Sequence, residues 1–197
     1  MASLIAIAAI HGAPALAAQT RGLTEGGLDS IARRVEFIDP HSGPPGTLVT
    51  IRSGGMPAVT PLRIGIGAVH FGFEEIGQVL TNEKGEFTLT VTVPNWARRD
   101  LVHRFIVFDF YFAPIALSDI FHVTDATGTI ERVGELLNVG DRCPALRSDD
   151  GLSYSLAGDI SGFAEHARVV VEGRITPSGE CGRDTTVRIT RIAPGNS

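Results

Sequence analysis

The chain has 197 residues, of which 43% are apolar and 20% are charged, and its net charge is −5. This balance excludes an intrinsically disordered chain, and the lack of overall positive charge argues against a nonspecific nucleic-acid binder. The 23 glycines and 11 prolines predict many turns between short segments, and therefore a turn-rich β protein of one or two domains.

Residues 2–18 form an Ala-rich apolar run that is broken by Gly12 and Pro14 and ends in small residues. A membrane-spanning helix needs about 20 apolar residues without such breaks, so the run is typical of a secretory signal. We predict a signal peptide at residues 1–18 and an exported mature protein, periplasmic or extracellular, without an integral membrane segment. The alternative is a buried N-terminal helix of the mature fold.

In the first half of the chain, apolar and polar residues alternate as they do in strands with one buried face. The alternation covers residues 87–93, 49–52 and 62–66. Residues 104–112 are apolar on both sides except Asp109, which predicts a strand buried on both faces. Clusters of Gly, Pro, Asn and Ser predict turns at residues 42–46, 53–55, 82–85 and 113–114. This spacing predicts an immunoglobulin-like sandwich of two antiparallel sheets.

Several short motifs of this half carry a family resemblance. Residues 35–40 read VEFIDP, residues 42–51 read SGPPGTLVTI, KGEF at 84–87 leads to VTVP at 91–94, and residues 118–123 read SDIFHV. Together they resemble an IPT/TIG-type immunoglobulin-like domain over residues 33–124, although the strand between residues 56 and 80 departs from its pattern. The resemblance implies a spacer, adhesive or ligand-presenting module used outside the cell, and it carries over no catalytic residue.

A small, polar linker at residues 125–128 separates the aromatic-rich first half from a second predicted domain at residues 129–193. Five candidate strands follow there, at residues 129–133, 143–147, 152–156, 168–175 and 185–192. With a turn or helical bridge at residues 158–165, they predict a small five-stranded OB-like barrel. Segments that include CPALRSDDG at 143–151 and VVVEG at 169–173 resemble a small exported bacterial domain family of unknown function. In that family paired cysteines flank the barrel.

Cys143 and Cys181 are the only cysteines of the chain. An oxidising compartment favours a disulfide between them, which in the chain-entropy model stabilises this half by roughly 3 to 4 kcal/mol. A catalytic thiol needs a nearby base and a zinc site needs two further ligands. Because His166 is the only histidine in this half, both alternatives lack partners.

Asp109 is the first candidate for chemistry, because a carboxylate in an apolar strand is costly unless it is paired or hydrogen-bonded. It is either the acid of a site or a residue that lies at an edge or pairs with Arg63 or Arg104. Glu74 and Glu75 cannot flank one glycosidic bond, since adjacent residues of a strand point to opposite faces, and we expect them in a solvated loop.

The remaining motifs favour no cofactor and no metal. His41, His70, His103 and His122 share no metal-binding spacing and are expected at the surface. Residues 149–151 (DDG) lack the pattern of a calcium loop and predict a hairpin turn. The chain has no nucleophile elbow, phosphate-binding loop or dinucleotide fingerprint, so no catalytic residue is predicted.

The loop after Pro94 provides a candidate binding surface made of Trp96, Arg98 and Arg99, because exposed Trp and Arg are common anchors for protein or carbohydrate partners. The alternative is that Trp96 folds back over the end of the sandwich or over the domain junction.

We therefore predict a noncatalytic exported bacterial protein with a structural or binding role, whose partner is a protein or a carbohydrate of the envelope. The alternatives are a small envelope hydrolase or metal-dependent enzyme that uses Asp109 with His103 or His122, and a carbohydrate-binding module. Nucleic acid is not expected as a partner, since only Tyr154 and Phe163 offer stacking surfaces in an acidic barrel.

Overall fold

The computed structural model describes residues 31, 33–68, 71–176, 181 and 185–196. These residues form fourteen strands and no helix, which confirms the all-β class. The predicted signal peptide at residues 1–18 and the histidine at position 70 lie outside the described residues. Within the described part of the chain no helix is long and apolar enough to cross a membrane.

The first nine strands form a sandwich of two sheets. The larger sheet has the order β1-β9-β8-β5-β6, with β3 also paired to β9, and the smaller sheet has the order β2-β4-β7. The strands are β1 Arg33–Arg34, β2 Phe37–Asp39, β3 Ser42–Gly43, β4 Leu48–Ser53, β5 Pro61–Ala68, β6 Gly72–Leu80, β7 Phe87–Thr92, β8 Val102–Phe108 and β9 Pro114–Val123. The prediction of wholly antiparallel sheets is wrong in one detail, because the two-residue strands β1 and β3 pair with β9 in parallel.

The core of the sandwich follows from the alternation of the sequence. Alternate apolar residues of β4, β5 and β7, such as Ile51, Ile64 and Val91, point into one cluster between the sheets. The central strand β8 is buried on both faces: Phe105 faces this cluster, whereas Phe108 packs in a second cluster on the outer face. The predicted two-sided burial is therefore confirmed for Val102–Phe108, but the strand ends there and does not continue to residue 112.

The register of the larger sheet divides the loops between two ends of the sandwich. Arg63 of β5 lies opposite Phe108, and Ala68 lies opposite His103. The loops at residues 54–60, 81–86 and 109–113 therefore meet at one end, which we call the distal end. The loop at residues 93–101 and the connection at residues 124–129 meet at the other, which we call the barrel end.

The last five strands close into a barrel with the order β10-β11-β12-β14-β13. They are β10 Ile130–Leu137, β11 Ala145–Ser148, β12 Ser153–Ala157, β13 Arg168–Thr176 and β14 Thr186–Pro194, and they confirm the five predicted strands. The third and fifth strands pair in parallel and the first and fourth pair antiparallel, which is the closure expected of an OB-like barrel. Residues 158–165 form turns without a helix.

The predicted disulfide is present between Cys143, which precedes β11, and Cys181, which precedes β14. Their Cα atoms are 5.7 Å apart, and the bond closes a loop with a sequence separation of 38. Because this loop contains β11, β12 and β13, the bond ties the two halves of the barrel together.

Candidate binding surfaces

Trp96 lies in the loop at the barrel end, where the residue is 42% exposed. The ring tilts against the buried His103 with 5.9 Å between ring centroids, and Nε1 donates a hydrogen bond to the Glu74 carboxylate. Trp96 therefore folds partly back over the end of the sandwich. Glu74 and Glu75 lie within β6, so the expectation of a solvated loop is wrong.

The two arginines beside Trp96 have different surroundings. Arg98 is largely exposed and pairs with Asp100 in its own loop. Arg99 donates from Nη2 to Glu131 at 2.8 Å and to Glu172 at 2.9 Å, and these two carboxylates lie on β10 and β13 of the barrel. Of the predicted binding surface, Arg99 thus joins the sandwich to the barrel, while Trp96 and Arg98 keep exposed surface.

Arg132, on β10, continues this junction as the largest fully buried side chain among the described residues. Its Nε donates to the Tyr154 hydroxyl at 2.9 Å and lies 3.2 Å from a carboxylate oxygen of Asp150. Its Nη1 donates to the backbone carbonyl oxygens of Arg99 and Glu131 at 2.7 and 2.6 Å. One buried cation therefore binds the sandwich loop and two strands of the barrel at once.

Arg132 is not among the residues predicted for a site, although the sequence contains a signal for it. In β10 every second residue is buried, and Arg132 falls in phase with Ile130 and Leu136. A charged residue at an inward position of an alternating strand indicates a buried, hydrogen-bonded ion. The predicted hairpin at residues 149–151 is confirmed, and it places Asp150 against this ion.

Two neutral imidazoles flank the junction. Burial lowers the pKa of His103 to about 4, and burial together with the nearby Arg132 lowers the pKa of His122 to about 4. Nδ1 of His122 lies 3.3 Å from Nη2 of Arg132 and can accept a hydrogen bond from the guanidinium. Nε2 of His103 is buried without a hydrogen-bond partner among the described residues. The expectation of surface positions is wrong for both, while His41 is exposed.

The residues named for an enzymatic site are separated in space. His103 lies at the start of β8 and Asp109 directly after its end, which puts them about 20 Å apart at the rise of an extended strand. Within the described ranges, no three side chains of His, Cys, Asp or Glu lie close enough to hold a metal ion. The constellation that the enzyme hypothesis requires is therefore not assembled by Asp109 and His103.

Asp109 instead organises the turn at residues 109–113, which we call the aromatic turn. Its Oδ1 accepts hydrogen bonds from the backbone N–H groups of Tyr111 and Ala113 at 2.8 and 2.9 Å. Its carbonyl oxygen accepts the N–H of Phe112 at 3.1 Å. The carboxylate is thus satisfied by the turn that it closes, which explains its place after an apolar strand.

The aromatic turn exposes three consecutive rings: Phe110 is 62%, Tyr111 84% and Phe112 46% exposed. Phe112 has a left-handed backbone with φ of 61°, an uncommon conformation for an aromatic residue. The Arg63 guanidinium lies 4.5 Å from the Phe112 ring centroid and 5.7 Å from that of Phe110. Nη1 of Arg63 also lies 2.7 Å from a carboxylate oxygen of Glu75, so the two Phe rings pack against an ion pair without net charge.

The barrel also carries a shallow groove on its surface. It has a volume of about 220 Å³ and is lined by Glu131, Val170, Glu172, Arg191, Ala193 and Pro194. Ligand pockets usually hold about 300 to 1,000 Å³, and the two glutamates of this groove already bind Arg99. The groove therefore belongs to the junction, and the aromatic turn is the stronger candidate for binding.

Comparison with known proteins bears on the barrel. Residues 127–195 match a family described as "Protein of unknown function (DUF5818)", and the matched segment contains all five barrel strands. No curated protein matches the chain. No IPT/TIG family model matches residues 33–124, so that resemblance remains a prediction. The chain thus combines a barrel that is similar to a family of unknown function with a sandwich that is described from the structure alone.

Proposed function

We propose that the chain is a noncatalytic, exported bacterial binding protein in which the sandwich presents the aromatic turn to a partner in the envelope. The observation that carries the proposal is the run of three exposed rings at residues 110–112. The disulfide supports export, because such bonds persist in oxidising compartments. The sandwich architecture supports the ligand-presenting role that the IPT/TIG resemblance implies.

The aromatic turn has the properties of a preorganised binding surface. Large apolar side chains that stay in water contribute little to the stability of the fold, whereas Phe and Tyr are enriched at interfaces. Hydrogen bonds to Asp109 fix the backbone, and the Arg63 guanidinium fixes two of the rings. A surface that is already ordered loses less conformational entropy when it binds.

The junction explains how the barrel contributes to this function. Arg99 and Arg132 link the sandwich to three barrel strands through charge-assisted hydrogen bonds. The two halves are therefore coupled, and the aromatic turn lies at the end of the sandwich that faces away from the barrel. The barrel then serves as the base that sets the position of the distal end, while Trp96 and Arg98 form a second candidate contact at the junction.

Retention on washed bacterial envelopes tests the proposal. The protein is purified from the exported fraction, mixed with envelopes and sedimented, and the bound fraction is compared for wild type, Phe110→Ser/Tyr111→Ser and Trp96→Ala. We expect retention of wild type and a loss of at least tenfold for the double variant. Phe71→Ser is the matched control, because Phe71 is 61% exposed but lies at the barrel end. Equal retention of all variants contradicts the assignment of the aromatic turn.

A further inference from the structure

The apolar surface of the distal end extends beyond the aromatic turn. Leu80, the last residue of β6, lies opposite Pro61, and the N–H of Val59 donates to the carbonyl oxygen of Asn82 in the neighbouring loop. Both Val59 and Leu80 are exposed. We call these two residues and the rings of residues 110–112 the distal apolar surface, which comes from three parts of the chain at one end of the sandwich.

This surface projects into solvent. The three aromatic residues are 46 to 84% exposed and stand on the tip of the hairpin formed by β8 and β9, so their rings project into solvent. Small ligands are usually held in concave sites that bury most of their surface. A projecting turn with two Phe rings and one Tyr instead matches the interface of a lipid bilayer, where Phe and Tyr side chains accumulate.

The backbone of the aromatic turn is suited to an apolar environment. An unpaired N–H group is costly in lipid, but the N–H groups of Tyr111, Phe112 and Ala113 all bond within the turn. The Arg63 charge is paired with Glu75, and its aliphatic stem can extend so that the charge stays in water. The turn can therefore leave water without exposing an unsatisfied donor at these three positions.

We propose that the distal apolar surface inserts into the interface of a lipid bilayer, and that the lipid surface is the partner of the proposed binding function. The inference rests on the export and binding role proposed above. Since the chain has a net charge of −5, anionic lipid offers no general attraction. Binding is therefore driven by the apolar side chains, and neutral lipid is sufficient.

Sedimentation with sucrose-loaded phosphatidylcholine vesicles tests the inference. The exported protein is compared with Phe110→Ser/Tyr111→Ser and with Phe71→Ser, after thermal unfolding has shown that each variant is folded. We expect wild type and Phe71→Ser to sediment with the vesicles, a partition coefficient at least tenfold lower for the double variant, and little change in 0.5 M salt. Trp96, the only tryptophan, lies at the barrel end and should keep its emission maximum.

Each opposite result overturns the inference in a recognisable way. Retention on envelopes without binding to vesicles leaves the proposed function in place and rejects lipid as the partner. An equal loss for Phe71→Ser, or a blue shift of Trp96 emission on vesicles, shows that another surface makes the contact. Concentration-dependent dimers of wild type that disappear in the double variant, with no vesicle binding, identify a second copy of the chain as the occupant.

Discussion

Replacing Arg132 by Met should destabilise the protein more than the same replacement at an exposed arginine. The guanidinium is almost fully buried and bonds Tyr154, Asp150 and two backbone carbonyl oxygens. Removing one member of a buried ion pair costs about 3 to 5 kcal/mol, because the other charge stays behind unpaired. Asp150 keeps some solvent contact, which lowers this cost, whereas carbonyl oxygens left without a donor add about 1 kcal/mol or more. We expect a loss of about 4 kcal/mol.

The matched control for Arg132→Met is Arg147→Met in the neighbouring strand. The Arg147 side chain is 61% exposed and pairs with Glu135 at the barrel surface, and exposed pairs contribute about 0 to 1 kcal/mol. Both variants are unfolded in guanidinium chloride and followed by far-ultraviolet circular dichroism and by Trp96 fluorescence. If the unfolding free energy of Arg132→Met lies within about 1 kcal/mol of that of Arg147→Met, the stability of the junction does not depend on the buried cation and the reasoning is refuted.

Three further predictions follow from other parts of the fold. Reducing the disulfide should lower the unfolding free energy by about 3 to 4 kcal/mol, measured by denaturation with and without dithiothreitol. Because the folded pKa values of His103 and His122 are about 4, the unfolded chain binds protons first. Stability should therefore fall as the pH drops from about 6.5 to 4, by up to about 3 kcal/mol for each histidine. The loss should be about half as large for His122→Asn, in which only His103 of this pair still titrates, and an unchanged profile for this variant would contradict the share of His122. Gly85→Ala should lower the unfolding free energy by more than about 2 kcal/mol, because φ is 74° and a Cβ there would overlap the Met56 carbonyl oxygen. Gly46→Ala is the control for thermal unfolding. Its φ is 90° but the space around it is open, so the loss should be about 1 kcal/mol.

The strands could be predicted from the sequence where one face is buried and the pattern has period two. Val91 and Ile51 illustrate this, because each is apolar between exposed or half-buried polar neighbours, and both face the core. The five barrel strands follow from the same rule. Burial on one face is a local property that the order of residue types records directly.

The aromatic turn could not be separated from strand β8 by hydrophobicity. Phe108 and Phe110 are the same residue type, yet the first is buried and the second is exposed. The distinguishing feature is Asp109, whose short carboxylate can close a turn on the N–H groups that follow it. An aspartate near a downstream proline inside an apolar run is therefore better interpreted as a turn than as a buried charge.

The junction depends on contacts between distant parts of the chain. Arg99 finds its carboxylates at Glu131 and Glu172, which are 32 and 73 positions away. No local pattern relates these residues, so the sequence predicts an exposed loop in which both arginines face solvent. In the structure Arg98 is exposed, whereas Arg99 pairs with carboxylates of the barrel. The predicted surface at Trp96 and Arg98 remains open to experiment.

Hydrogen exchange measured by mass spectrometry, in the presence and absence of washed envelopes, tests the central claim most directly. If the distal end binds, peptides that cover the aromatic turn at residues 109–113 should exchange more slowly with envelopes present, while peptides of the loop at residues 95–100 should be unchanged. Protection of residues 95–100 alone, with the aromatic turn unaffected, would contradict the claim and move the binding surface to the barrel end.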